Sequence, residues 1–127
     1  MEKFSLKGKV ALVTGSTKGL GKGVAMALGN AGAKVALNYL NNREHAEIAL
    51  KELEDCGVRA MLVRADAANA EQVHAMVEAV QEKFGSLDIL VPNATPDQPQ
   101  KPVENYDGDF YRKMYDFFVL SPLYLTQ

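Results

Sequence analysis

Short unbroken apolar runs alternate along this chain with longer stretches whose apolar residues recur at helical spacing. Val10-Ala11-Leu12-Val13 is apolar without alternation, as expected of a strand buried on both faces of a parallel sheet. From Leu20 onward, Val24, Ala27, Leu28 and Ala31 recur at helical spacing, and Gly29, Asn30 and Gly32 are helix-ending residues. Lys34 to Tyr39 reads as a second strand. Ala46, Ala49, Leu50 and Leu53 mark one face of a second helix, which Gly57 ends before a third strand around Ala60-Met61-Leu62-Val63. Val73, Met76, Val77, Val80 and Phe84 give a third amphipathic helix closed by Gly85, and Ile89-Leu90-Val91 makes a fourth short buried strand.

Strands that alternate with helices imply a parallel sheet with right-handed crossovers and helices on both faces. The expected fold is therefore α/β, a doubly wound parallel sheet of four strands, with residues 1–127 forming a single domain. Met and Phe on these helices read as core filling. The regular pattern gives way at Thr95-Pro96-Asp97-Gln98-Pro99-Gln100-Lys101-Pro102, a proline-rich connection. Beyond it, the spacing of Met114, Phe117, Ser121 and Leu125 predicts a final helix from Phe110, which Pro122 bends or limits.

Composition narrows the function classes. The content of 47% hydrophobic and 24% charged residues over 127 positions fits one compact globular domain. The 14 basic and 16 acidic residues nearly cancel and are interspersed, so no concentrated positive field is available for a nucleic acid or an anionic membrane. No stretch approaches the ~20 apolar residues of a membrane span. The N-terminal segment, interrupted by Lys7 and Lys9, has no signal-like apolar run. The lone Cys56 has no ligand companions at short spacing, so no metal is expected, and a cytoplasmic location is.

The candidate chemistry lies in Thr14-Gly15-Ser16-Thr17-Lys18-Gly19-Leu20-Gly21, a glycine loop set directly between a buried strand and a helix. In that position backbone N–H groups and the positive end of the helix dipole can approach a pyrophosphate. A P-loop is excluded, because Gly21-Lys22 is followed by Gly23 rather than by serine or threonine, and Ser16 stands where the first glycine is required. Gly19-Leu20-Gly21-Lys22-Gly23 also spells the alternating glycines of many methyltransferases, although those carry an acidic residue just upstream where this chain has Thr17 and Lys18.

The spacing Thr14-Gly15-x-x-x-Gly19-x-Gly21 resembles the glycine motif of short-chain dehydrogenases/reductases. Asp66, followed by Ala67, is similar to that family's acidic residue against the adenine ring. Leu87-Asp88-Ile89-Leu90-Val91-Pro92-Asn93-Ala94 resembles the segment that leads into its Asn-Asn-Ala-Gly motif, with Pro92 in place of the first asparagine and Thr95 in place of the glycine. The resemblance spans almost the whole chain. It implies cofactor contacts from Gly15, Ser16, Thr17, Lys18, Gly19, Leu20 and Gly21, from Asn38, Tyr39 and Asn41, from Asp66 and Ala67, and from Asn93, Ala94 and Thr95.

NAD is normally held by an acid at the end of the second strand, where it would repel a 2′-phosphate. Here that strand ends Asn38-Tyr39-Leu40-Asn41-Asn42-Arg43, neutral until a cation. Lys18 occupies a loop position where NADP-preferring members of the family place a basic residue, so NADP(H) is expected over NAD(H). Arg43, followed by Glu44, reads more simply as part of the exposed first turn of the second helix.

The resemblance also implies hydride transfer between the nicotinamide and a carbonyl or alcohol substrate, through a Tyr-x-x-x-Lys pair, a serine and a helix asparagine. None of Tyr39, Tyr106, Tyr111, Tyr115 and Tyr124 has a lysine four residues on. If Thr126-Gln127 matches the family's helix ending, the helix asparagine falls nine residues before Gln127, at Phe118. No catalytic residue is therefore assigned in these residues. The sheet is expected to be truncated before its remaining strands, the chain alone to be inactive, and the complete protein to be a homo-oligomer. A non-catalytic nucleotide-binding or interaction module is the alternative.

Overall fold

The computed structural model describes residues 5–94, 107–115 and 120–126. Its elements follow the order β1 (Val10–Val13), α1 (Gly19–Asn30), β2 (Lys34–Tyr39), α2 (Arg43–Asp55), β3 (Ala60–Arg64), α3 (Ala70–Phe84), β4 (Ile89–Val91), α4 (Gly108–Tyr115) and α5 (Ser121–Thr126). The strands form one parallel sheet ordered β3-β2-β1-β4. This is the doubly wound α/β arrangement that the alternation of elements predicts.

Residues of β1 are buried on both sides because the strand is central and each face carries helices. Val10 and Leu12 point to one face, where they join Ala36 and the α3 residues Val73, Met76, Val80 and Phe84. Ala11 and Val13 point to the other, against Val35, Leu37, Ala25 of α1, and Ala49 and Leu53 of α2. Truncating Leu12 to alanine in such a setting costs about 2–5 kcal/mol.

The buried seam of α1 is Gly21, Ala25 and Gly29, whereas Ala27 of the predicted apolar face is exposed. Small residues at this spacing bring the helix axis close to the sheet. A side chain at Gly29 would press into Val58. Helices α2 and α3 begin on Asn42 and Asn69, whose side-chain oxygens accept from the N–H groups of His45 and Gln72. Caps of this kind contribute about 1 kcal/mol each.

The predicted final helix is described as two segments, α4 and α5, and Phe117 lies outside the described residues. Pro122 is the second residue of α5. Ser121 and Leu125 of α5 are buried, and Leu125 packs into the core cluster that contains α3.

The order in which strands are added reverses at the centre of the sheet. After β1 the chain steps outward to β2 and β3, and α3 then carries it back to β4 on the opposite side of β1. The register aligns Val13 with both Leu37 and Val91, and Tyr39 with Arg64, so the strands end together. In sheets of this type, ligands bind in the crevice outside the carboxyl ends of the strands at the reversal point.

Candidate functional site

A cleft of about 810 Å³ opens at that end of the sheet. One wall is the loop after β1 and the start of α1, with Gly15, Thr17, Lys18, Gly19, Leu20 and Gly21. The second comes from the end of β2 and the start of α2, with Asn38 to Asn42 and His45. Ala65, Asp66 and Ala67 after β3, and Asn93 and Ala94 after β4, complete it.

Thr14 joins the loops after β1 and β4. Its hydroxyl oxygen is buried and accepts from the backbone N–H of Asn93 at 2.9 Å and of Ala94 at 3.0 Å, while its own N–H donates to the Val91 carbonyl at 3.1 Å. The Asn93 side-chain N–H donates to the Gly15 carbonyl at 3.1 Å. Gly15 has φ +59°, and a Cβ there would lie 2.8 Å from the Ala94 Cα. A Cβ on Gly21 would collide with the Asn93 side-chain nitrogen and the Gly15 carbonyl oxygen. Both glycines are thus required by close approach between loops.

The loop is held from the β2 side by Asn38. Its side-chain oxygen accepts from Gly15 N–H at 2.9 Å, and its side-chain nitrogen donates to the carbonyls of Ala65 at 3.1 Å and Val63 at 3.3 Å. The Asn38 backbone N–H donates to the Ser16 hydroxyl at 2.9 Å, and Ser16 N–H donates back to the Asn38 carbonyl at 3.0 Å.

Helix α1 begins at the cleft. Lys18 precedes it in extended conformation and no side chain caps its first turn, so the N–H groups of that turn and the positive end of the helix dipole face the opening. Such an end attracts an anion. Leu20, on the same turn, is 76% exposed and forms an apolar rim. Among the described lining residues, Lys18 is the lysine and Asp66 the carboxylate. One Asp66 carboxylate oxygen accepts from Ala68 N–H at 2.9 Å, shaping the turn into α3.

No acid stands at the end of β2. Arg43, the first residue of α2, donates to a Glu47 carboxylate oxygen at 3.0 Å and to the Tyr39 hydroxyl at 2.9 Å. The hydrogen bond to Glu47, with smaller help from the charges of Tyr39 and Glu47, holds the guanidinium above its ordinary range. Arg43 is not among the residues lining the cleft, which agrees with its reading as a first-turn helix residue.

Of the predicted contact residues, Gly15, Thr17, Lys18, Gly19, Leu20, Gly21, Asn38, Tyr39, Asn41, Asp66, Ala67, Asn93 and Ala94 line the cleft together. Ser16 does not. Its side chain is fully buried because the positive φ at Gly15 turns the next residue back toward β2, where the hydroxyl serves Asn38. Thr95, Phe118 and the proline-rich connection lie outside the described residues. Leu40, Asn42, His45 and Ala65 line the cleft without having been singled out. The position of Asn42 as a helix cap three residues before His45 was a signal that could have placed Asn42 and His45 at the start of α2, beside the end of β2. Among the described residues, no group of three or more His, Cys, Asp or Glu could hold a metal, and no helix is long and apolar enough to cross a membrane.

Fold and cleft together define a doubly wound, Rossmann-like α/β domain with an open crevice at the carboxyl ends of its strands. The chain belongs to the short chain dehydrogenase family, whose model matches residues 9–127. It is 38% identical over 122 residues to an uncharacterized oxidoreductase of Methylorubrum extorquens, covering 96% of this chain and 49% of that protein. A crystal structure of a dehydrogenase/reductase from Sinorhizobium meliloti superposes with TM-score 0.91 at 34% identity, covering 98% of this chain and 49% of the other. A short chain dehydrogenase from Burkholderia cenocepacia, solved in complex with NADP, gives TM-score 0.89 at 34% identity over 96% of this chain and 49% of that one. The chain spans about half the length of these relatives.

Proposed function

We propose that this chain is the cofactor-binding portion of an NADP(H)-dependent oxidoreductase, in which hydride passes between NADP(H) and a carbonyl or alcohol substrate. The observation that carries the reading is the cradle made by Gly15 and Gly21 against Ala94 and Asn93, facing the uncapped start of α1. A Cβ at either glycine would fill the space through which the loops approach, and the exposed first-turn amides suit a pyrophosphate. The cleft volume lies in the ordinary range for small-molecule sites.

When bound, the nicotinamide supplies the hydride donor or acceptor; the residues of this chain bind and orient it. The amides of Gly19, Leu20 and Gly21 hold the pyrophosphate. Asp66 and Ala67 would wall the adenine, and Asn93 and Ala94 would approach the ribose. Lys18 pairs with the 2′-phosphate, a reading supported by the neutral end of β2 and by the NADP held in the Burkholderia cenocepacia relative.

These 127 residues contain no Tyr-x-x-x-Lys pair, so proton transfer is assigned to none of them and the chain alone turns over no substrate. In the complete protein we assign assembly as a homo-oligomer, supported by the exposed Tyr115 of α4 and Leu123 of α5, and a cytoplasmic location in which the free, exposed Cys56 stays reduced. Titration with NADPH, followed by its fluorescence, tests the binding claim. A saturable change is expected, and a flat response up to millimolar cofactor would refute it.

A further inference from the structure

Asn38 is a costly residue where it stands. It continues the buried apolar run Val35-Ala36-Leu37 of β2, is 2% exposed, and belongs to a residue type depleted in strands. Its amide spans two walls of the cleft at once. The oxygen holds Gly15, the head of the phosphate-facing loop, and the nitrogen holds the Val63 and Ala65 carbonyls, which lead into Asp66 and Ala67. Its main chain adds the reciprocal pair with Ser16.

The three neighbours demand one acceptor and donors in a single side chain. Aspartate would supply only acceptors and face two carbonyls, leucine would supply neither, and serine is too short to span both walls. We infer that Asn38 is a positioning residue that fixes the spacing between the glycine loop and the end of β3, and so tunes the cleft to a ligand touching both. It does so without spending its own amide on that ligand. This rests on the proposed NADP(H) reading, which supplies the two-walled ligand.

The consequence separates joined from single-walled ligands. Adenosine alone needs only the β3 wall, whereas NADPH needs the β3 wall and the glycine loop at the correct distance. In the full chain, Asn38→Ala and the milder Asn38→Ser are expected to weaken NADPH about tenfold or more while changing adenosine affinity by less than about threefold. Both affinities can be read by chemical-shift titration, with circular dichroism to select the variants that remain folded; the serine variant keeps the test available if alanine does not fold.

Equal weakening of the two ligands would mean general loosening and would overturn the positioning role, as would unchanged NADPH affinity. Hydrogen exchange gives a second readout that needs no ligand: the Gly15 amide is expected to lose protection in both variants, while amides of α3 do not. Failure of the unsubstituted chain to bind NADPH would remove the cofactor reading, and the inference with it. Binding by that chain together with indifference to Asn38 would remove the inference alone.

Discussion

The Gly15 carbonyl and the Asn93 side-chain amide meet at 3.1 Å, which pins the loop after β1 to the loop after β4 at the point where the strand order reverses. The cleft depends on this junction. Neither loop has a regular element to stiffen it there, so its shape is set by hydrogen bonds between residues 78 to 80 positions apart.

Gly15→Ala should damage the junction in two ways. The backbone φ of +59° disfavours a side chain, and the added methyl would sit 2.8 Å from the Ala94 Cα. A loss of stability of about 1–3 kcal/mol is expected, together with at least about tenfold weaker NADPH binding. Thermal melting and calorimetric titration check the two parts separately.

Thr14 offers a test of polar closure. Thr14→Val keeps the shape but leaves the N–H groups of Asn93 and Ala94 without their shared acceptor, at a cost of about 2–4 kcal/mol. Thr14→Ser retains the oxygen and should recover most of that loss. Urea denaturation of both variants decides; a Thr14→Val variant as stable as the unsubstituted chain beside a destabilised Thr14→Ser variant would show that the methyl group, not the hydroxyl, is what matters.

Lys18 should govern cofactor choice rather than folding. Its side chain is exposed at the start of α1, so Lys18→Ala is expected to leave the melting temperature nearly unchanged. Affinity for NADPH should fall about fivefold while that for NADH stays level. An unchanged ratio of the two affinities would remove Lys18 from 2′-phosphate recognition.

Asp88 ties the start of β1 to the turn before β4. One carboxylate oxygen accepts from Val10 N–H at 2.9 Å and from the Ser86 hydroxyl at 3.1 Å. Asp88→Ala should cost about 1 kcal/mol, read by denaturation, with little effect on cofactor affinity because the residue lies at the opposite end of the strands from the cleft.

Much of the fold was legible because burial leaves a local signature. The unbroken apolar run Val10 to Val13 marks a central strand, and the spacing of Val73, Met76, Val80 and Phe84 marks a helix face; each needs only neighbours in sequence. The glycine loop was legible for the same reason, lying between a strand and a helix. Partnerships across long separations were not. Nothing local distinguishes Ser16, which turns inward to β2, from Thr17, which lines the cleft. Likewise the side chain of Asn38 resembles a ligand contact in sequence, and only the folded register shows its amide committed to Gly15, Val63 and Ala65. The interior seam of α1 was legible only in part: Val24 and Leu28 do pack against the core, but Gly21 and Gly29 carry no apolar side chain to reveal the rest.

The most direct measurement is a fluorescence titration of the unsubstituted chain with NADPH, run beside Gly21→Ala, in which the new methyl would meet Asn93 and the Gly15 carbonyl. Saturable binding by the former, weakened at least about tenfold in the latter, is the expected result. No response from the unsubstituted chain at millimolar NADPH, or equal binding by both proteins, would contradict a dinucleotide cradle built on Gly15 and Gly21.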